Sequence, residues 1–147
     1  MGKILITGGL GYIGSHTAVD LNDNGYTPLS VDDLSNGHKV IGDGVSNIMG
    51  REYVNHQFDL KDRELTNQLF KNEDIESVIH FAAFKSVGDS VKNPIDYYRN
   101  NIDSLLNVLE ASISNGIKTF VFSSSCSVYG NPDKLPVDEN TPIKPGE

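Results

Sequence analysis

Lys3-Ile-Leu-Ile-Thr-Gly-Gly-Leu-Gly-Tyr-Ile-Gly-Ser15 is the stretch that decides how the chain folds. Ile4, Leu5 and Ile6 form a short apolar run with β-branched character, and Thr7-Gly8-Gly9 stops it. A helix begins near Gly11. Glycines at 8, 11 and 14 let the backbone turn tightly, approach a pyrophosphate with no Cβ in the way, and pack the helix closely on the strand. The helix start adds unpaired N–H groups and the positive end of its dipole, so the turn is a phosphate seat. With 14 glycines in 147 residues such spacings arise by chance, and the flanking sequence has to carry the reading. It does. The helix from Tyr12 to about Asn24 closes on Asn24-Gly25, a good C-terminal cap. Thr27-Pro-Leu-Ser-Val31 follows as a second strand and ends in Asp32-Asp33. The interval from Gly14 to Asp32 is close to the roughly 20 residues at which a carboxylate meets the adenosine ribose hydroxyls of a dinucleotide. A carboxylate at Asp32 favours NAD, because it would repel the 2′-phosphate of NADP.

At 147 residues the chain is about one domain with one substantial core. No apolar run approaches the ~20 residues needed to span a bilayer. Met1-Gly-Lys-Ile4 enters the first strand at once, leaving no room for a signal peptide, and the expectation is a cytoplasmic protein. The single Cys126 cannot form an intrachain disulfide, which agrees with a reducing compartment. A net charge of −8 without a Lys/Arg stripe argues against nucleic acid or anionic membrane as a partner. His16, His38, His56 and His80 form no ligand-spaced cluster with Cys or acids, so no metal site is assigned.

Along the rest of the chain, 34–50 is interrupted by glycines and reads as loop with one short helix. Glu52 to Phe58 alternates as a third strand, ending in Asp59-Leu60. A helix is expected from about Lys61 to Asn72, with Asp62 near its start and Leu65, Leu69 and Phe70 facing inward. Ser77 to Ala83 is a nearly continuous apolar run, as in a strand buried on both faces. It leads into Phe84-Lys85-Ser86-Val87-Gly88. One long helix is expected from Pro94 to Asn115, with Ile102, Leu105, Leu106, Leu109 and Ile113 as its main apolar stripe. Lys118 to Phe122 is the fifth strand, a possible exposed edge with Phe120 and Phe122. Ser123-Ser-Ser-Cys-Ser-Val-Tyr-Gly130 follows. The prolines beyond Asn131 carry no period and read as loop. Strand and helix alternate, which predicts a doubly wound, mostly parallel α/β sheet of Rossmann type in the order 3-2-1-4-5, with ligands beyond the carboxyl ends of its strands.

Five segments together resemble one family. They are Thr7 to Thr17, Asp32-Asp-Leu-Ser-Asn36, Val78 to Gly88, Tyr97-Tyr-Arg-Asn-Asn101 and Phe122 to Gly130. In order and over nearly the whole chain they are similar to the extended short-chain dehydrogenases/reductases, and more narrowly to their UDP-glucose 4-epimerases. The resemblance implies a retained NAD and a UDP-hexose substrate. A hydride leaves C4 of the sugar, the 4-keto sugar rotates, and the hydride returns to the opposite face. It places Gly8, Gly11, Tyr12, Ile13 and Gly14 at the pyrophosphate, Asp32, Asp33 and Asn36 near the adenosine ribose, and Asp59 and Leu60 at the adenine. Phe81, Ala82, Ala83, Lys85 and Asn100 fall along the nicotinamide half, and Ser125 matches the serine that bonds the reacting sugar oxygen. The long helix implies a possible homodimer.

Each role has a plainer competitor: Asp59 as a helix cap, Lys85 as a solvated cation, Ser123 to Ser125 as a satisfied turn. Tyr129 reads as packing, and His16 and His80 as structural. One element of the pattern is missing. The family's proton transfer needs a Tyr and a Lys four residues apart, the cation lowering the phenol's pKa. Four residues after Tyr12, Tyr26, Tyr53, Tyr97, Tyr98 and Tyr129 stand His16, Ser30, Gln57, Asn101, Ile102 and Asp133. The expectation is therefore a cofactor-binding portion at 1–130, with 131–147 leading toward a catalytic helix and substrate domain. Set against it are a stand-alone NAD-binding module without chemistry and another nucleotide-sugar member of the family.

Overall fold

A computed structural model describes residues 2–145 of the chain. Five strands form one all-parallel sheet in the order β3-β2-β1-β4-β5. The strands are β1 Lys3–Thr7, β2 Thr27–Val31, β3 Asn55–His56, β4 Ile75–His80 and β5 Thr119–Phe122. Helices α1 Tyr12–Asp23, α2 Lys39–Met49, α3 Arg63–Asn72, α4 Val87–Lys92, α5 Pro94–Tyr98 and α6 Ser104–Ser114 connect them. Successive side chains of a strand point to opposite faces, and β1 feeds two cores accordingly. Leu5 joins Leu29, Val31, Val78, Leu69, Phe70, Val108 and Ala111 beneath α3 and α6. Ile6 joins Leu10, Ala18, Val45 and Tyr53 beneath α1 and α2. The parallel α/β fold and its strand order agree with the sequence reading.

The differences in detail have physical reasons. The third strand is two residues long rather than seven. In its ladder the Ser30 amide donates to the Val54 carbonyl at 2.9 Å and the Asp32 amide to the His56 carbonyl at 3.2 Å. The next β2 donor in that series would be residue 28, and Pro28 has no N–H, so the ladder stops. The fourth strand ends at His80, which leaves Phe81, Ala82 and Ala83 in the loop beyond its carboxyl end.

The expected single helix from Pro94 to Asn115 is two helices joined by a π-helical turn, Arg99–Asp103, and α4 precedes them. The wider turn shifts the helical register, so α6 buries Ser104, Val108, Ala111 and Ser112. Leu105 and Leu109 are half-buried, while Ile102, Leu106 and Ile113 are exposed. In α3 the inward residues are Thr66, Leu69 and Phe70; Leu65 faces out. Asp62 caps that helix by accepting from the Leu65 amide at 3.0 Å. At the end of α1, Gly25 has φ 84°, the left-handed conformation that the Asn24-Gly25 cap requires. Residues 131–145 hold no helix or strand, and the remainder of the expected tail, 146–147, lies outside the described residues.

Candidate functional site

The strand ends gather the polar residues on one side of the sheet, and main-chain bonds hold them in step. Beyond β1, the Gly8 amide donates to the Val31 carbonyl at 2.9 Å; beyond β4, the Phe81 amide donates to the Thr7 carbonyl at 3.1 Å. Beyond β5, the Ser123 amide donates to the His80 carbonyl at 3.1 Å. The turn after β1, the loops after β2 and β4, and the serines after β5 therefore sit side by side.

The glycine turn leaves little room for side chains. Gly8 has φ 68°, and a Cβ there would lie 3.0 Å from the Ala82 nitrogen. A Cβ on Gly14 would collide with the Gly8 carbonyl oxygen and lie 2.8 Å from the Gly9 Cα. Gly9, absent from the sequence-predicted set, is as tightly held: a Cβ there would meet Ser30 Oγ and come within 2.6 Å of Tyr53 Oη. Gly11 is the N-cap of α1 with no side chain over the helix end, and Tyr12 and Ile13 are exposed in its first turn. The open N–H groups of that turn can receive a phosphate.

Asp32 faces this turn. Its Oδ2 accepts from the Leu10 amide at 3.1 Å and its Oδ1 from the Leu34 amide at 2.9 Å. A carboxylate has about four lone-pair positions, so two amides leave two for hydroxyl groups. Asp33 is tied into the same loop through Ser35, whose amide it receives at 2.8 Å, and Asn36 is exposed.

Farther along, Asp59 accepts from the Lys61 amide at 2.9 Å and pairs with the Lys61 ammonium at 3.2 Å. The cap of the following helix is Asp62, so the competing role for Asp59 is taken by another residue. Leu60 is buried in the core beneath α3 and α6.

The loop after β4 carries Phe81 and Ala82, half-buried, and Ala83 and Lys85, exposed. Asn101 grips it: its side-chain oxygen accepts from the Phe84 amide at 2.7 Å and its amide donates to the Phe84 carbonyl at 2.9 Å. Asn100 Nδ2 donates to the same Asn101 oxygen at 3.1 Å. The π-helical turn thus brings Asn100 to the loop of Lys85, and sequence reasoning found the first asparagine of the pair but not the clamp.

Two buried polar groups join these parts. Thr7 Oγ1 receives the Ala82 amide at 3.2 Å and bonds His80 Nδ1 at 2.8 Å. The His80 ring is stacked on Phe120 and Phe122, with centroids 6.1 and 6.0 Å away. Burial holds His80 down at a pKa of about 4, so it is neutral at working pH. This agrees with its structural reading, and the chain of contacts links the glycine turn to the strand that carries the serines. Ser125 Oγ accepts from the Ser127 amide at 3.2 Å, capping a short 3₁₀ turn, Cys126–Tyr129, and keeps its proton to donate. Among the described residues no group of three or more His, Cys, Asp or Glu is placed to hold a metal ion.

Residues 4–147 match the model of the NAD dependent epimerase/dehydratase family. The chain belongs to this family. It is 43% identical over 141 residues to the UDP-glucose 4-epimerase of Dictyostelium discoideum, a match covering 96% of this chain and 41% of that protein. With the UDP-glucose 4-epimerase of Bacillus subtilis the identity is 44% over 140 residues, covering 95% and 41%. The crystal structure of UDP-glucose-4-epimerase from Stenotrophomonas maltophila, with bound NAD and formylated UDP-arabinopyranose, superposes with a TM-score of 0.89 at 40% identity. That match covers 98% of this chain and 43% of the other. The chain spans about two fifths of the length of the curated relatives it matches. No helix among the described residues is long and apolar enough to cross a membrane.

Proposed function

We propose that this chain is the NAD-binding half of an enzyme that inverts C4 of a UDP-hexose, interconverting UDP-glucose and UDP-galactose. The observation that carries the proposal is the Asp32 carboxylate held against the Leu10 amide of the glycine turn, with free lone pairs beside a phosphate seat. The relatives, UDP-glucose 4-epimerases, support the choice of substrate.

NAD supplies the nicotinamide carbon that takes one hydride and gives it back. On this reading Gly8, Gly11, Tyr12, Ile13 and Gly14 receive its pyrophosphate. Asp32, Asp33 and Asn36 bind the adenosine ribose, and Asp59 and Leu60 border the adenine. Phe81, Ala82, Ala83, Lys85 and Asn100 border the nicotinamide half. Ser125 Oγ donates to the sugar's O4 and orients it. In the reaction the sugar C4–H bond breaks with its electron pair and the O4–H proton passes to a base. The ketone so formed is reduced on its other face, and redox is balanced over one turnover. The base is the Tyr of a Tyr-x-x-x-Lys pair, which these 147 residues do not contain. The 147-residue polypeptide alone is therefore expected to bind cofactor without turning over, residues 1–130 being the cofactor domain and 131–147 the lead into the catalytic helix.

Calorimetric titration with NAD and, separately, NADP tests the reading. The expected result is saturable binding that prefers NAD, a preference lost in Asp32→Ala. Binding of neither nucleotide would overturn it. Bound NAD that does not respond to any UDP-hexose in the enzyme completed by its catalytic half would favour a cofactor module without chemistry. The exposed stripe Ile95, Tyr98, Ile102, Leu106 and Ile113 along α5, the π-helical turn and α6, spaced mostly three or four apart, supports a homodimer through this segment.

A further inference from the structure

We infer that Tyr53, Ser30 and Asn55 form a bracket that sets the position of Asp32 relative to the glycine turn, and so act as positioning residues for the cofactor. The inference rests on the NAD reading of the site. Tyr53 lies outside every element of the cofactor motif and is only 5% exposed. Its hydroxyl reaches the Gly9 carbonyl oxygen at 3.4 Å. The Gly9 carbonyl and the Leu10 N–H belong to one peptide plane, which is rigid. Holding one end of it aims the other, and the Leu10 N–H is the donor to Asp32 Oδ2 at 3.1 Å.

The partner of that bond is held from the opposite side. Ser30 Oγ donates to Asn55 Oδ1 at 2.7 Å, and Asn55 Nδ2 donates to the Asp32 carbonyl at 3.3 Å. Both sides of the Leu10–Asp32 bond are thus anchored by one neighbouring group of side chains. The bracket is itself anchored on α2, where Ser46 Oγ receives the Tyr53 amide at 2.9 Å and donates to the Gly42 carbonyl at 2.8 Å. Burial pushes the Tyr53 phenol well above its ordinary value; the nearby Ser30 hydroxyl opposes this and the Asp32 charge adds to it. The hydroxyl therefore stays a donor throughout the working range. It also explains Gly9, since a Cβ there would displace both Ser30 Oγ and Tyr53 Oη.

Tyr53→Phe removes the hydroxyl and keeps the ring packed against Ile6, Leu10 and Val45. Two readouts are made on the full 147-residue chain: amide hydrogen exchange at Leu10 without ligand, and NAD affinity in both the wild-type and Asp32→Ala backgrounds. The expected results are faster exchange at Leu10 and a threefold to tenfold loss of NAD affinity, about the size of one hydrogen bond. In the Asp32→Ala background the same change should cost less than about twofold, because the hydroxyl acts through that carboxylate. Unchanged Leu10 exchange, or an equal loss in the two backgrounds, would overturn the bracket. A wild-type chain that binds no NAD would overturn the cofactor reading instead, and the Leu10 exchange distinguishes that failure from the bracket's own.

Discussion

At the scale of single residues, the site depends on groups too small or too buried to be exchanged. Gly14→Ala adds a Cβ with nowhere to go between the Gly8 carbonyl and the Gly9 Cα. It should destabilise the fold by about 1–3 kcal/mol and weaken NAD binding more than tenfold. Denaturant titration and calorimetry on the same sample would check both. Thr7 is as constrained, for a different reason. Thr7→Val keeps the shape and leaves the Ala82 amide and His80 Nδ1 without their partner. Buried groups stranded in this way cost about 1–3 kcal/mol each. A fall of about 2 kcal/mol in unfolding free energy is expected, while Thr7→Ser should restore most of it. If both variants are equally unstable, the hydroxyl is not what matters.

At the scale of elements, the βα cadence, the glycine turn, the Asn24-Gly25 cap and the Asp62 cap were legible because each is written in neighbouring residues. What was not legible depends on partners far off in sequence. Nothing local to Glu52–Phe58 announces that Pro28, a residue of the adjacent strand, ends its ladder. Helical spacing assumes one register, and the π-helical turn at Arg99–Asp103 changes it within Pro94–Asn115, so the apolar stripe is split, with Leu105 and Leu109 half-buried and Ile102, Leu106 and Ile113 exposed. Within the candidate site, Asp32 could be found from its spacing, whereas Asn101, Tyr53 and the Thr7–His80 bond become visible only when the strands are side by side. The exposed part of the stripe supplies a prediction of its own. If Ile102 and Leu106 pair with a second copy, the double variant Ile102→Glu, Leu106→Glu should halve the mass seen by sedimentation. Because both side chains are exposed in the single chain, its secondary structure should be kept. A mass unchanged by the charges, or one that is monomeric from the start, would rule out this face.

At the scale of the whole molecule, stability should depend on acid in a way set by two residues at opposite ends of the sheet's hydrogen-bond network. His80 is held at a pKa of about 4 in the fold, against 6.5 for a free imidazole. Between these values the unfolded chain binds more protons than the folded one. The contribution is complete above pH 6.5, is lost as pH falls toward 4, and is flat below, a change on the order of 3 kcal/mol. Urea midpoints from pH 7 to 4 should decline through this window, and a His80→Gln variant should lack that part of the decline. Glu73 works in the same direction at lower pH. Its carboxyl is held below the usual range, first by the hydrogen bond from Lys3, and its burial opposes the shift. That stabilisation is present above the ordinary carboxylate range and is lost as acid protonates the group.

Pro28 has a mechanical consequence. On one side β1 is paired along the full length of β2, whereas β3 is in register with β2 over two residue pairs, Ser30 with Asn55 and Val31 with His56. The flank made of β1, β2 and β4 with the glycine turn is thus the more extensively paired part of the sheet, and the short outer strand β3 the less. If NAD binds as proposed, the outer flank is the one expected to yield on binding while the glycine turn holds its shape.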